Sequence, residues 1–272
     1  MRILIIGCGS IGSILSEAIN DMPEVDKFYI TDVSSTYAQH LIDDLSKAEY
    51  LEQDSRDVYE IISKVDLVVE AASQEAAIKY APLALENGVD VMVMSVGAFA
   101  DDRFRDKCFN LAKKHHSRIY VPSGAISGTD GLHAAASSNL TEVHLTTRKG
   151  PDGLRNAPGL ALRNIDVDSL VEATVVFDGS AREAVDQFPK NLNVAATISI
   201  LGVGFEQTRV TIICDPSTER NSHTLAVKGE FGEMVSEIKN MPSPSNPATS
   251  YLAALSATAA IRRIVGNVWI GI

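Results

Sequence analysis

The chain has 272 residues, of which 45% are hydrophobic and 22% charged; this composition excludes global disorder and predicts two modest folded domains. Its 24 Lys and Arg against 35 Asp and Glu give a net charge of −11, which argues against nucleic-acid and membrane partners. The longest apolar stretch, residues 89–100, is too short to span a bilayer, and three widely spaced cysteines form neither a disulfide framework nor a zinc pattern. We therefore predict a cytoplasmic protein with reduced thiols and no bound metal.

The first part of the chain alternates short apolar runs with helical stretches. Strands are predicted at 2–6, 27–30, near Leu51, and at 65–69, 89–93 and 118–121. Helices are predicted at 11–20, 74–87 and 101–116. Parallel strands need such crossovers, so the alternation predicts an α/β fold with a Rossmann-type, doubly wound parallel sheet over residues 1–121.

After Pro122 the rhythm changes. A helix rich in small residues is predicted first, and strands then follow at 142–148, 170–178, 210–215 and 223–229. These elements predict a second, α+β domain over residues 122–246, with an open mixed sheet. Residues 247–272 contain a further helix, which we expect to pack back on the first domain.

A glycine-rich turn of the G-x-G-x-x-G pattern follows the first strand directly and opens a helix. Its predicted cofactor-binding residues are Gly7, Gly9, Ser10, Ile11 and Gly12. The glycines permit a tight turn, close approach of a pyrophosphate and close packing of helix on strand, while the helix N-terminus supplies N–H groups. Asp32, 20 residues beyond Gly12, can accept from a ribose 2′-OH and repel a 2′-phosphate. The pattern predicts NAD or NADP, with NAD favoured; a glycine turn without a nucleotide is the alternative.

Two further segments carry candidate contacts. Ala72 and Ser73 follow a predicted strand, where small side chains leave room for a dinucleotide. Lys190, Asn191 and Asn193 precede an apolar helix, where amide groups can hold a carboxylate or a carboxamide. An ordinary N-cap formed by Asn193 explains the second segment equally well.

The histidines by themselves give little indication of catalysis. His223 begins a predicted strand, and its position alone favours a structural role over a catalytic one. No pair of histidines has the spacing of metal ligands, and no serine elbow or reactive cysteine context is present.

Five motifs together resemble the L-aspartate dehydrogenases. They are GCGSIG at 7–12, EAAS at 70–73, VPSGAISG at 121–128, FPKNLNVAAT at 188–197 and PSPSNPATS at 242–250. They occur in the order found in that family and span nearly the whole chain. Ser127 and Thr129 depart from the family pattern, which puts only the local loop packing in doubt.

The resemblance implies NAD(P)-dependent oxidative deamination of L-aspartate to iminoaspartate, which water converts to oxaloacetate and ammonia. It also implies that the iminoaspartate is supplied to NAD biosynthesis. It implies that His223 is the catalytic histidine and that Ala125 and Asn191 contact the cofactor, with Asn193 as the alternative amide. From charge we add Lys190 as a partner for a substrate carboxylate, with Asn193 beside it. A homodimer is expected because two-fold dimers are the commonest oligomers.

Two other functions remain open from the sequence. One is another two-domain reductase of amino-acid metabolism, similar to dihydrodipicolinate reductase or homoserine dehydrogenase, which would share the first domain. The other is a module that binds NAD as a sensor without turnover.

Overall fold

A computed structural model describes residues 1–189, 193–244 and 246–271 of the chain. It divides into two compact units. The first unit comprises Met1–Pro122 and Ala253–Val268, and the second comprises the chain from Ser123 to Leu252 and again from Trp269.

The first unit is built on a sheet of six parallel strands, in the spatial order β3-β2-β1-β4-β5-β6. The strands are β1 (Arg2–Ile6), β2 (Lys27–Thr31), β3 (Ala48–Tyr50), β4 (Leu67–Glu70), β5 (Asp90–Val93) and β6 (Ile119–Tyr120). The strand order reverses beside β1, whose neighbours are β2 and β4. This is the predicted doubly wound sheet, and ligands of such sheets bind at the carboxyl ends of the strands beside the reversal.

Five helices connect these strands. They are α1 (Ser10–Asn20), α2 (Ser35–Ile42), α3 (Arg56–Ile62), α4 (Gln74–Glu86) and α5 (Asp102–His115). Side-chain oxygens of Ser34, Ser55, Ser73 and Asp101 cap four of them. Bounds were predicted only for α1, α4 and α5, although a surface helix was expected around His40; α2 and α3 are short, and their starts are set by serine caps rather than by long apolar repeats.

The second unit contains a five-stranded mixed sheet in the order β11-β10-β7-β9-β8. Its strands are β7 (Leu140–Lys149), β8 (Thr174–Ser180), β9 (Arg209–Cys214), β10 (Asn221–Gly229) and β11 (Gly232–Asn240). A small hairpin joins β12 (Pro242–Ser243) to β13 (Asn246–Ser250). The helices are α6 (Thr129–Ala135), α7 (Pro158–Ala161), α8 (Ala181–Gln187) and α9 (Asn193–Leu201).

The structure differs from the sequence predictions for this sheet in two places. The strand predicted from residue 170 begins only at Thr174, because Val167–Ser169 form a 3-10 turn and Val171 is 94% exposed. The edge strand β11 was not predicted, since polar side chains occupy most of its exposed positions and obscure the apolar signal.

The last helix, α10 (Tyr251–Val265), belongs with the first unit. Its Ala257 and Ile261 are fully buried in the same apolar core as Ile3 and Leu15. Within the described ranges, no helix is long and apolar enough to cross a bilayer.

Candidate active site

The glycine loop connects β1 to α1 in the first unit. Gly7 has φ +100°, a conformation that glycine adopts without strain, and its N–H donates to the Thr31 carbonyl at 2.9 Å. A Cβ added at Gly12 would lie 1.9 Å from the Gly7 carbonyl oxygen, so helix and loop approach more closely than any side chain permits. A Cβ at Gly9 would meet nothing within 4 Å. The space beside Gly9 is therefore open to a ligand at the N-terminus of α1.

Asp32 follows β2, and its side chain is hydrogen-bonded to the glycine loop. Its Oδ2 accepts from the Cys8 N–H at 2.6 Å, and its Oδ1 accepts from the Ser34 N–H at 2.8 Å. The carboxylate therefore orients both the glycine loop and the start of α2. Carboxylate oxygens have two lone pairs each, so these bonds leave capacity for a ribose hydroxyl.

A cavity of about 250 Å³ lies at the carboxyl ends of these strands. Gly7, Asp32, Val33, Ala72 and Ser73 contribute to its wall. The wall of this cavity thus combines an open glycine turn, a carboxylate that can accept from a ribose hydroxyl, and small side chains that leave room for the nucleotide. The residues present therefore fit the adenosine half of a dinucleotide.

A buried carboxylate, Glu70, organises the same edge of the sheet and was not singled out by the sequence. Its Oε1 accepts from the N–H groups of Ala72 and Ser73 at 2.8 and 2.9 Å and from the Ser95 hydroxyl at 2.8 Å. Its Oε2 accepts from the Ser95 N–H at 3.0 Å. Burial raises the pKa of Glu70 even though these hydrogen bonds oppose the shift. Glu70 thus ties the loops after β4 and β5 together and sets the position of Ala72 against Gly7.

Replacing Glu70 by Gln is expected to weaken both the fold and the cofactor site. The amide nitrogen of Gln would face a donor, and an unsatisfied buried group costs about 1–3 kcal/mol of unfolding free energy. Denaturant unfolding and NADH titration measure the two effects. The surface variant Glu86→Gln, which breaks only an exposed pair with Lys107, is the control. Equal stability and equal NADH affinity in both variants would show that Glu70 does not position this site.

In the second unit, the loop before α6 is tied to β11. The side-chain amide of Asn240 donates to the Ala125 carbonyl at 2.8 Å, and both residues are buried. The hydroxyls of Ser127 and Ser236 are 2.6 Å apart. Ser127, which departs from the family pattern, therefore bonds the loop to β11. Asn240 was missed by the sequence because it ends an edge strand that was itself not predicted.

His223 lies on β10, on the buried face of the second unit's sheet. It is 3% exposed, and its Nδ1 lies 3.0 Å from the Thr147 hydroxyl, directly opposite on β7. Burial, and secondly the positive charge of Lys149, lower the pKa of His223 to about 3. The imidazole is therefore neutral at physiological pH.

Lys149 is the second ionisable group of this cluster. It ends β7, two residues after Thr147 and on the same buried face, and only 6% of it is exposed. Burial lowers its pKa to about 8. His223, Thr147 and Lys149 thus form a buried polar cluster on this face of the sheet.

The remaining predicted contacts lie near the start of α9. Asn193 is the first residue of that helix and is exposed, and the Thr197 hydroxyl donates to its carbonyl at 3.0 Å. Lys190 and Asn191 lie outside the described residues. Ala72, Ser73 and the glycine loop come together in the first unit, whereas Ala125, Asn193 and His223 belong to the second.

Other reactive groups of the described chain do not form a competing site. Cys8, Cys108 and Cys214 are buried, and burial raises the pKa of the first two thiols to about 12. Among the described residues, no group of three or more His, Cys, Asp or Glu side chains could hold a metal ion.

Two family models match successive parts of the chain. Residues 130–264 match the family described as "Aspartate dehydrogenase, C-terminal", and residues 7–122 match "Homoserine dehydrogenase, NAD binding domain". An L-aspartate dehydrogenase of Methanosarcina mazei is 47% identical, covering 100% of this chain and 99% of the relative. The crystal structure of aspartate dehydrogenase from Thermotoga maritima matches with a TM-score of 0.78 at 33% identity, covering 100% of this chain and 99% of that one.

A more distant structure shows how far the fold is shared. A hyperthermophilic archaeal homoserine dehydrogenase in complex with NADPH matches with a TM-score of 0.60 over 96% of each chain, but at 14% identity, which shows the fold alone.

The parallel sheet, its glycine loop and the matched NAD-binding domain define an NAD(P)-dependent dehydrogenase with a Rossmann-type first unit. Within that class, identity over the full length of curated relatives decides the family. The chain belongs to the aspartate dehydrogenase family.

Proposed function

We propose that this chain oxidises L-aspartate with NAD(P) to iminoaspartate, and that His223 is its catalytic residue. The observation that carries the proposal is the buried cluster of His223, Thr147 and Lys149 in a member of the aspartate dehydrogenase family. Bound NAD(P) supplies the hydride acceptor. Residues 1–121 with the last helix would serve as the dinucleotide-binding domain, and residues 122–246 as the substrate domain.

The reaction requires the protein to accept a proton from the substrate and to hold the substrate in position against the cofactor. L-Aspartate loses a proton from its ammonium group and a hydride from Cα, which leaves protonated iminoaspartate; water then gives oxaloacetate and ammonium. A neutral imidazole can accept the ammonium proton, and the Thr147 hydroxyl fixes the ring through Nδ1. We assign Ala125 and Asn191 to cofactor contacts, and Lys190 and Asn193 to the substrate.

Cofactor preference depends on Asp32 in this proposal. Asp32→Ala is expected to shift the ratio of kcat/KM from NAD toward NADP, because the variant loses both the ribose acceptor and the repulsion of a 2′-phosphate. Since Asp32 also accepts from Cys8, Asp32→Asn is needed beside it, as it keeps an oxygen acceptor but removes the charge. If neither variant changes the ratio for the two cofactors, the ribose assignment is wrong.

The substrate is tested with purified protein, NAD or NADP, and a panel of L-amino acids that includes L-homoserine. Formation of NADH from NAD, or of NADPH from NADP, is expected only with L-aspartate. Activity with L-homoserine instead would favour the related reductase. Nucleotide binding without turnover across the panel would favour an NAD-sensing module.

We also propose a cytoplasmic homodimer that works in NAD biosynthesis. Support for the dimer comes from the outer face of the second sheet, where Val235 is 73% and Val175 53% exposed. Pairing of this face across a two-fold axis would cover both side chains. Light scattering of the unchanged chain and of Val235→Glu measures the oligomeric state, and a monomeric unchanged chain would contradict the dimer.

A further inference from the structure

The cavity beside the glycine loop is also lined by side chains of α4, namely Glu75, Lys79 and Tyr80. Among the described residues that line it, Lys79 carries the only positive charge, against the carboxylates of Asp32 and Glu75. NADP differs from NAD by a phosphate on the ribose 2′-oxygen, and phosphate oxygens accept strongly from cations. Lys79 is therefore the group of this wall to which a 2′-phosphate would bind.

The ammonium of Lys79 is bound by a carboxylate of the protein itself. Its Nζ donates to Oδ1 of Asp54, in the loop between β3 and α3, and the Tyr80 hydroxyl donates to the same oxygen at 2.6 Å. Lys79 Nζ also lies 5.1 Å from the ring centroid of Tyr80 and 6.0 Å from that of Tyr59. The bond to Asp54 raises the pKa of Lys79, so the ammonium stays charged. The one positive charge of the wall is thus balanced by Asp54.

The position of Asp54 is set by its backbone and by Tyr80. Asp54 has φ +58°, a left-handed conformation that Asp and Asn adopt more readily than most residues. Tyr80 is buried, and burial, followed by the bond to Asp54, raises the pKa of its hydroxyl to about 12, so the hydroxyl remains a donor. A lone ion pair at this degree of exposure would be weak, but a second donor on the same oxygen orients the carboxylate toward Lys79.

We propose that Asp54 is a specificity-determining residue, which withholds Lys79 from a 2′-phosphate and so favours NAD over NADP. This inference rests on the proposed function, in which Asp32 accepts from the ribose, and adds a second determinant to it. A 2′-phosphate could bind Lys79 only by displacing Asp54. While Lys79 stays paired, the carboxylates of Asp32 and Glu75 leave the wall with a net negative charge, which repels the phosphate.

Calorimetry with NADH and with NADPH tests the proposal without any turnover. Asp54→Asn is expected to bind NADPH about 10-fold more tightly, as for gain of a hydrogen bond between charged groups, with NADH affinity nearly unchanged. Asn suits the left-handed backbone and keeps an oxygen for Tyr80, but it lacks the charge that holds Lys79. The double variant Asp54→Asn/Lys79→Gln should lose most of the gain. Glu60→Gln, which removes an equally exposed carboxylate paired with Arg56, is the matched control and should change neither affinity.

Two results would overturn the proposal. One is an unchanged NADPH affinity in Asp54→Asn. The other is an equal gain in the double variant, because the gain would then come from lost repulsion alone and not from Lys79. Thermal unfolding of each variant checks the fold.

The salt dependence of the unchanged chain keeps the proposal testable if the variants do not fold. NADH should bind more tightly than NADPH, and this preference should shrink between about 0.05 and about 0.5 M salt, because salt screens the repulsion of the 2′-phosphate. Tighter binding of NADPH, or a preference for NADH that stays constant or grows with salt, would contradict the proposal. Failure of the proposed function is distinguishable, because it would appear as absent NADH formation from L-aspartate while both nucleotides still bind.

Discussion

His223→Ala is expected to lower kcat with L-aspartate by about 10²–10⁴-fold, which is the usual loss when a general acid–base group is removed. The reason is that the substrate ammonium must lose a proton before Cα can release a hydride. NADH affinity should be nearly unchanged, because the proposed cofactor contacts are made by the glycine loop, Ala125 and Asn191 and not by His223. Steady-state kinetics and NADH titration measure the two quantities.

Two variants guard this result against a merely structural effect. His223→Asn keeps a polar group opposite Thr147 and should preserve the fold while remaining as inactive as His223→Ala. His144→Ala removes a part-buried histidine of the same sheet, bonded to Thr211, and should keep full turnover. Near-normal turnover in His223→Asn would remove His223 from the mechanism.

Gly9→Ala and Gly12→Ala should separate cofactor binding from folding. A Cβ at Gly9 meets no protein atom within 4 Å, and its φ of −60° suits alanine, so the variant should fold normally. That Cβ would instead occupy the space of the pyrophosphate, and a displacement of about 1 Å costs on the order of 10²-fold in kcat/KM. Gly12→Ala forces its Cβ against the Gly7 carbonyl and should lose about 1–3 kcal/mol of unfolding free energy as well.

Thermal unfolding without nucleotide, calorimetry with NADH and steady-state kinetics with L-aspartate distinguish the two variants. A Gly9→Ala variant that binds NADH as the unchanged chain does would mean that the pyrophosphate does not lie on this loop. A Gly12→Ala variant of unchanged stability would mean that the close approach to Gly7 is not required.

Continuous apolar runs made the first unit predictable. Strands that are buried on both faces, such as β1 and β4, consist largely of apolar residues, so their positions can be predicted from the sequence. The glycine loop between β1 and α1 is recognised by the fixed spacing of its glycines. The bounds of α2 and the whole of α3 were missed, because short helices with serine caps have little periodicity. In the second unit β11 was missed because an edge strand alternates polar residues, as solubility requires.

The residues of the candidate site could be predicted where they belong to one short motif. They could not be predicted where their hydrogen-bond partners are distant in sequence. Glu70 bonds to Ser95, 25 residues away, and the pattern EAAS gives no sign of that contact. The burial of Lys149, in contrast, could have been predicted from the sequence. In β7 the alternate positions Val143, Leu145 and Thr147 are buried, and the same two-residue period puts Lys149 on the inner face.

Transfer of a hydride from Cα of L-aspartate to NAD(P) is the step that defines the proposed function, and isotope transfer tests it most directly. L-Aspartate deuterated at Cα is incubated with the purified chain and NAD, and the NADH formed is analysed by mass spectrometry. We expect one deuterium in each NADH, with oxaloacetate and ammonia formed in equal amount. NADH without deuterium, or no NADH at all, would contradict it.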